Sequence, residues 1–211
     1  MKSLLRMAVL CAAGAFAAQT AYADIIFHIG NNPQQDDENI AFNGSGAIAL
    51  GNPVTGHSNQ TATEFLFTSD ETLITPTSSR IESVDSPFNF LMIESVAGAF
   101  FQSAIFNLDA VTTGTVNFSV MDDLGQFATQ IFSVAGTGQN FFTLTATGSQ
   151  LMQRITITGA DLSQISQVRI GGIAAQPVQV SVPEASTGLL LGSGLLFVAA
   201  VMRFRGRNSH Q

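Results

Sequence analysis

A mainly β fold, an antiparallel sandwich of jelly-roll-like type, is what this sequence predicts, and three observations predict it. Between residues 24 and 181 the apolar positions recur with period two, and no window there carries a 3.6-residue stripe. About a dozen short runs of this kind follow one another at intervals of roughly eight to twelve residues, separated by Gly, Asn, Asp and Ser turns, with no repeat of fixed period. The chain also holds 17 Phe and a single cysteine, Cys11. Stability must therefore come from packing of apolar side chains rather than from disulfides.

Taken in order, Ile25-Ile26-Phe27-His28-Ile29 reads as a first strand and Asn31 to Asn39 as a polar loop carrying Asp36-Asp37-Glu38. Ile40-Ala41-Phe42 and Ala47 to Leu50 flank Asn43-Gly44-Ser45-Gly46, a hairpin signal because glycine tolerates positive φ. Asn52-Pro53 closes that unit. Thr63 to Phe67 and Glu71 to Thr75 form the next expected pair, followed by a loop at Pro76 to Ser79 and a short segment from Arg80 to Val84. Phe88 to Ile93 and Phe100 to Leu108 are apolar enough to lie between two covered faces. Thr115 to Met121 sets Val116, Phe118 and Val120 against Thr115, Asn117 and Ser119, so one face is buried and the other wet. Asp122-Asp123-Leu124-Gly125 turns the chain into Gln126 to Val134, whose expected partner is Asn140 to Thr147 across Gly136-Thr137-Gly138. Leu151 to Thr158 alternates again, Gly159 to Ser163 reads as a turn or one helical turn, and Val168 to Ile170 and Val178 to Val180 finish the sheet.

Setting both ends aside leaves about 160 residues, enough for one domain with a sizeable core and too few for two. In that part Arg80, Arg154 and Arg169 face fourteen carboxylates, a net charge of −11. A domain so acidic repels phosphate backbones, which excludes nucleic acid as a partner.

The two ends read as an address. Lys2 and Arg6 precede an apolar core from Met7 to Ala18, and Ala21-Tyr22-Ala23 supplies the small residues a signal peptidase needs. Residues 1–23 are thus expected to be a secretory signal peptide, cut after Ala23 and delivered through the Sec machinery. A retained signal anchor is the other reading, and twelve apolar residues are short for it. At the other end Val182-Pro183-Glu184-Ala185-Ser186-Thr187 precedes an uncharged run from Gly188 to Met202, then Arg203-Phe204-Arg205-Gly206-Arg207 and a tail, 208–211. As a helix that run covers about 22 Å, and starting at Pro183 adds about 7 Å, close to a bilayer's ~30 Å hydrocarbon core. The expected transmembrane helix spans about 184–203. Arg203, Arg205 and Arg207 would stop it on the cytoplasmic side, so that residues 24–181 face outward.

The order of these parts resembles the PEP-CTERM sorting domain of Gram-negative bacteria, over about the last thirty residues. The resemblance implies recognition by an exosortase, a membrane-embedded cysteine transpeptidase, with release to the outer surface or its exopolysaccharide. The motif's Pro and Glu fall on Pro183 and Glu184, and Ala185 stands where the motif has its second proline. Within the apolar run, Gly188 and Gly192 fit a small-x-x-x-small contact, which a membrane helix or the sorting enzyme explains equally well.

Candidate chemistry in the domain is sparse. His28, His57 and His210 show no zinc-ligand spacing. Ca²⁺ is a candidate through Asp36, Asp37, Asp122 and Asp123, against the plain reading of solvated loops and turn-forming Asp side chains. No nucleophile elbow occurs, since Gly44-Ser45-Gly46 lacks the Gly-x-Ser-x-Gly spacing. There is no Trp, and the one Tyr, Tyr22, lies in the signal peptide, so any sugar platform would have to use Phe. The function expected first is that of an exported, non-enzymatic surface or matrix protein associated with exopolysaccharide. A carbohydrate-binding module, with or without Ca²⁺, is the second reading, and a secreted hydrolase the third.

Overall fold

Residues 24–42 and 48–175 are described in the computed structural model, and within them period-two alternation becomes thirteen strands and no helix. In chain order these are β1 (Ile25–Ile29), β2 (Asp37–Ala41), β3 (Leu50–Gly51), β4 (Val54–Ser58), β5 (Glu64–Ser69), β6 (Leu73–Thr77) and β7 (Arg80–Ser83). They continue as β8 (Phe88–Ser95), β9 (Ser103–Ala110), β10 (Gly114–Asp122), β11 (Phe127–Val134), β12 (Asn140–Ala146) and β13 (Met152–Gly171). All pairings among them are antiparallel, as expected.

The strands form two layers. The first runs β4-β5-β8, the N-terminal half of β13, then β10 and β11; the second runs β1-β12-β9 and the C-terminal half of β13, which also meets β7 and β2. Alternating residues from both layers fill the space between. Phe118 of β10 meets Phe142 of β12 with ring centroids 4.8 Å apart, and Phe106 of β9 at 5.7 Å. Phe132 of β11 reaches Phe142 at 5.4 Å. None of these strand pairs shares backbone hydrogen bonds, so the rings meet across the interior, at separations typical of favourable aromatic pairs.

Two strands link the layers: β2, briefly, bonds β13 through Asp37–Asn39 and β4 through Ile40 and Ala41, and β13 does so along its whole length. Arg154–Thr158 of β13 lies between β8 and β10, whereas Leu162–Gly171 lies against β9 on one side and, on the other, against β8 at Leu162 and then β7 and β2. The transfer occurs near Gly159, whose φ of +122° suits glycine and where a Cβ would meet the Thr115 carbonyl oxygen at 2.4 Å. A second irregularity falls between Ser166 and Arg169, where Gln167 adopts a φ of +53°. The expected turn or helical turn at Gly159–Ser163 is therefore a bend within one continuous strand. Its glycine is a pivot rather than a terminator.

Three expected hairpins are replaced by other pairings. β2 joins β4 through Ile40↔Ser58 and Ala41↔His57, while Leu50 joins β6, so residues 40–42 and 47–50 do not pair as read; 43–47 lie outside the described residues. β5 lies between β4 and β8, and β6 between β3 and β7. β11 pairs with β10 and β12 with β9 and β1, so the segments expected to flank Gly136-Thr137-Gly138 as a hairpin instead face each other through Phe132 and Phe142. Each turn signal is present locally, but burial of Phe and Ile in two facing layers decides the partner. The loop expected at 31–39 ends earlier, because Asp37 and Glu38 already belong to β2. Val178–Val180 lies outside the described residues.

Phe88–Ile93 is covered on one face only, with Leu91 and Ile93 buried and Phe90 and Met92 half-buried. Ser103–Leu108 is buried on both faces, as its composition predicts. Beside it runs the polar chain after β1. The Thr143 hydroxyl donates to the Gly30 carbonyl at 2.8 Å and accepts from the Asn32 N–H at 3.1 Å, pinning that chain over the outer side of β12 beside β9.

Candidate functional site

The sequence-predicted sorting residues, Val182, Pro183, Glu184, Ala185, Ser186 and Thr187, the membrane stop at Arg203, Arg205 and Arg207, and the cleavage residues Ala21 and Ala23 all lie outside the described residues. Among the described residues no helix is long and apolar enough to cross a membrane.

The four calcium candidates do fall in the described part, in two separate places. Asp37 accepts from the Ser103 hydroxyl and from the Gln34 N–H, while Asp36 lines a small cleft. Asp122 is fully buried at the end of β10. Its Oδ1 accepts from the Leu124 and Gln126 N–H groups at 2.9 and 2.7 Å, which shapes the β10–β11 turn, and Oδ2 has no protein partner among the described residues. Asp123 Oδ1 accepts from the Leu151 N–H at 3.4 Å. Among the described residues no three His, Cys, Asp or Glu side chains come together as a metal site. The geometry makes Asp37 and Asp122 organisers of backbone.

Glu38, read from sequence as part of that polar loop, is buried in β2. Its Oε2 accepts from the Gln60 and Thr61 N–H groups at 3.0 and 2.8 Å and from the Thr61 hydroxyl at 3.2 Å, clipping the β4–β5 turn onto β2. Burial pushes this carboxyl up, but the Thr61 and Gln60 backbone donors with the Ser58 and Thr61 hydroxyls outweigh it, holding it below its ordinary value. Sequence alone could not separate Glu38 from its solvated neighbours.

Among the described residues the outer face of the first layer is open. Register places its side chains in rows that run across the strands. One row is Ile131, Asn117, Thr158 and Phe90; the next is Thr129, Ser119, Thr156, Met92 and Thr68; the third is Phe127, Met121, Arg154, Glu94 and Leu66. Their partners one position along each strand, such as Val116, Phe118, Ile155, Ile157 and Leu91, are buried in the core. The face is thus a consequence of alternation: hydroxyls and one amide in its first two rows with half-buried Phe90 and Met92 among them, Arg154 and Glu94 side by side in the third, and an apolar rim at Phe127 and Ile131. The Arg154 guanidinium donates to Met121 Sδ at 3.5 Å, and His57 Nδ1 at the far margin lies 3.6 Å from Glu64. Alternation in 115–121 announced Asn117 and Ser119 as the wet side. It could not reveal that Thr156, Thr158 and Phe90 lie beside them, because that depends on the pairing of distant strands.

Two depressions lie among the described residues. A cleft of ≈ 190 Å³ is lined by Gln34, Gln35, Asp36, Gln102, Ser103 and Thr145 beside Gly172. A shallower hollow of ≈ 460 Å³ lies where the described chain ends, between Thr61–Glu64, Val96–Ala97 and Ile173 with Ala175. The cleft offers amide, carboxylate and hydroxyl groups, and the hollow offers mostly methyl groups.

No family model matches the chain, and no curated protein matches its sequence. Among solved structures the chain is similar to a CBM29-2 variant complexed with mannohexaose, at 9% identity and a TM-score of 0.31, covering 68% of this chain and 92% of that one. It is also similar to BiXyn10A CBM1 in its apo form, at 14% identity and a TM-score of 0.28, over 67% of this chain and 99% of that one. A further similar structure is titled a carbohydrate binding module of family 29, at 8% identity and a TM-score of 0.27, over 72% and 88%.

Proposed function

We propose that this protein is an exported, non-catalytic β-sandwich, jelly-roll-like in type, delivered to the cell surface or its exopolysaccharide by a PEP-CTERM-like segment. The observation that carries this reading is the order of parts. A signal-peptide-like start precedes an acidic domain whose 24–181 part contains no cysteine, and Pro183-Glu184, an apolar run and an arginine cluster follow. In this reading signal peptidase cuts after Ala23 and the apolar run holds the precursor in membrane lipid. An exosortase then acts at Val182–Thr187. Intact-mass measurement of the protein recovered from the native culture tests it: both terminal segments should be missing, and recovery of a chain that keeps Arg203–Arg207 in the inner membrane defeats it.

A second reading is favoured by a specific observation, the open outer face of the first layer. Polysaccharide presents hydroxyl groups alternating with C–H patches, and Phe90 flanked by Thr158, Thr156 and Asn117 offers matching hydroxyls, an amide and an apolar ring. The protein would then hold extracellular glycan along this face, with Ca²⁺ a candidate helper only at Asp36–Asp37 or Asp122–Asp123. Titration of the full chain with a panel of polysaccharides, with and without millimolar Ca²⁺, should give saturable binding that Phe90→Ala and Asn117→Ala each weaken by about tenfold, the loss of one to two kcal/mol of contact. Binding to no polysaccharide, or binding that both variants keep, removes this reading and leaves the first intact.

A further inference from the structure

β11 is a sheet edge: it pairs with β10 and with no other described strand. Its sequence, Phe-Ala-Thr-Gln-Ile-Phe-Ser-Val, contains no charge, no proline and no glycine, and its register with β10 runs without a bulge. Charge, proline and a bulge are among the devices that keep sheet edges from pairing, and β11 has none of the three.

The ladder shows which backbone groups are open. Asp122 N–H donates to the Gln126 carbonyl at 2.9 Å. Antiparallel alternation then gives the even-numbered residues of β11 to β10 and turns the N–H and C=O groups of Phe127, Thr129, Ile131 and Ser133 outward. Among the described residues the Ile131 carbonyl accordingly takes just the side-chain amide of Gln130, at 3.3 Å, on the exposed side. The side chains of these same four residues stand on the open face, with Phe127 and Ile131 60% and 62% exposed, while Val134 is buried and Phe132 packs inward on Phe118 and Phe142.

We infer that this edge is occupied by β11 of a second copy of the chain, antiparallel and two-fold symmetric about Thr129. Three features select that occupant and that register. The two exposed apolar residues lie symmetrically about Thr129, so the two-fold sets Phe127 opposite Ile131 of the other copy twice over, an aromatic on β-branched cross-strand pair. Centring on Ile131 instead would leave Phe127 beyond the partner strand. The outward groups of Phe127, Thr129 and Ile131 meet their equivalents in the hydrogen-bonded phase, giving about six new ladder bonds. Finally, residues 24–181 carry a net charge of −11, so two copies approach most readily at a surface without carboxylates, and β11 supplies an uncharged strand. Dimerisation would join two first layers edge to edge and extend their open face.

Site-directed crosslinking of the full chain in a Cys11→Ser background tests the register. Thr129 would face its own copy at about 5.5 Å between Cα atoms, within disulfide reach. The two copies of Ser133 would be about 27 Å apart along the strands. Thr129→Cys should therefore form a covalent dimer under mild oxidation about tenfold faster than Ser133→Cys, a contrast set by that difference in reach. Adding Ile131→Lys, which puts a charge on the edge, should bring Thr129→Cys down to the Ser133→Cys rate. All three positions are exposed, and circular dichroism should show each variant folded. Equal rates for the two cysteines, as expected if residues beyond Ala175 cover the edge, overturn the inference. So does crosslinking that survives Ile131→Lys, or preferential linkage of Thr129→Cys to Ile26→Cys of β1, which would mean head-to-tail addition.

Discussion

The outer faces of the two layers are made of nearly the same residues and end in opposite states. On the second layer Ser103, Asn107, Thr143 and Thr145 point outward from β9 and β12; on the first, Ser119, Asn117, Thr156 and Thr158 do so from β10 and β13. Ser103, Asn107 and Thr143 are buried, Thr143 beneath the chain that follows β1, whereas the first-layer set stays partly exposed. Hydroxyls and amides therefore serve two purposes in one domain. Buried, Thr143 satisfies backbone groups that would otherwise be stranded while Ser103 and Asn107 bond other side chains, and in the open such groups are left to meet something else. A covering segment, not composition, separates structural polarity from polarity available for recognition.

Mutations can break that contrast, starting from the interior that both layers share. Phe118→Ala removes a fully buried ring that touches Phe106, Phe132 and Phe142, and should cost about 3–5 kcal/mol in urea unfolding. Phe90→Ala, on the open face, should cost about 1 kcal/mol, and similar losses at the two sites would mean that the first layer's outer face is covered after all.

The seam between the layers comes next. Glu38→Gln removes the charge that Gln60 and Thr61 donate to and should cost about 1.5–3 kcal/mol near neutral pH. Because folding holds this carboxyl below its ordinary value, its contribution is fully present above the unfolded-state value and disappears as pH falls through the lower, folded one. The wild type and Glu38→Gln should therefore converge in stability on acidification. Parallel curves would show that the carboxylate does not hold the turn.

The smallest effects give the sharpest comparison. Thr143→Val leaves the Asn32 N–H and the Gly30 carbonyl without their partner and should cost about 1 kcal/mol, together with faster amide exchange at Asn32. Thr156→Val is the same change on the open face and should stay within about 0.5 kcal/mol. An equal cost at both positions would refute the distinction drawn between the faces.

What the sequence made legible follows from what alternation encodes. Val116, Phe118 and Val120 against Asn117 and Ser119 was read correctly, since the two faces of one strand are a local property. Partners are not local. Gly136-Thr137-Gly138 suggested a hairpin, yet β11 and β12 belong to opposite layers, where each backbone pairs with another strand and Phe132 and Phe142 also meet in the core. The candidate face was legible for the same reason only along β10, its other rows being assembled by β8 and β13 from far along the chain. Glu38 was hidden because a carboxylate beside Asp36 and Asp37 looks solvated until Gln60 and Thr61 are brought to it.

The longer of the two linking strands also governs timing. β13 is the last strand of the described chain and bonds to β2, β7, β8, β9 and β10, so neither layer is complete until residues 152–171 are available. Nearly every contact it makes spans tens of residues, the arrangement that slows closure of a chain. A chain that emerges from its amino end would thus hold only partial sheets at first, and its two layers would shut together only once residues 152–171 were free to join them.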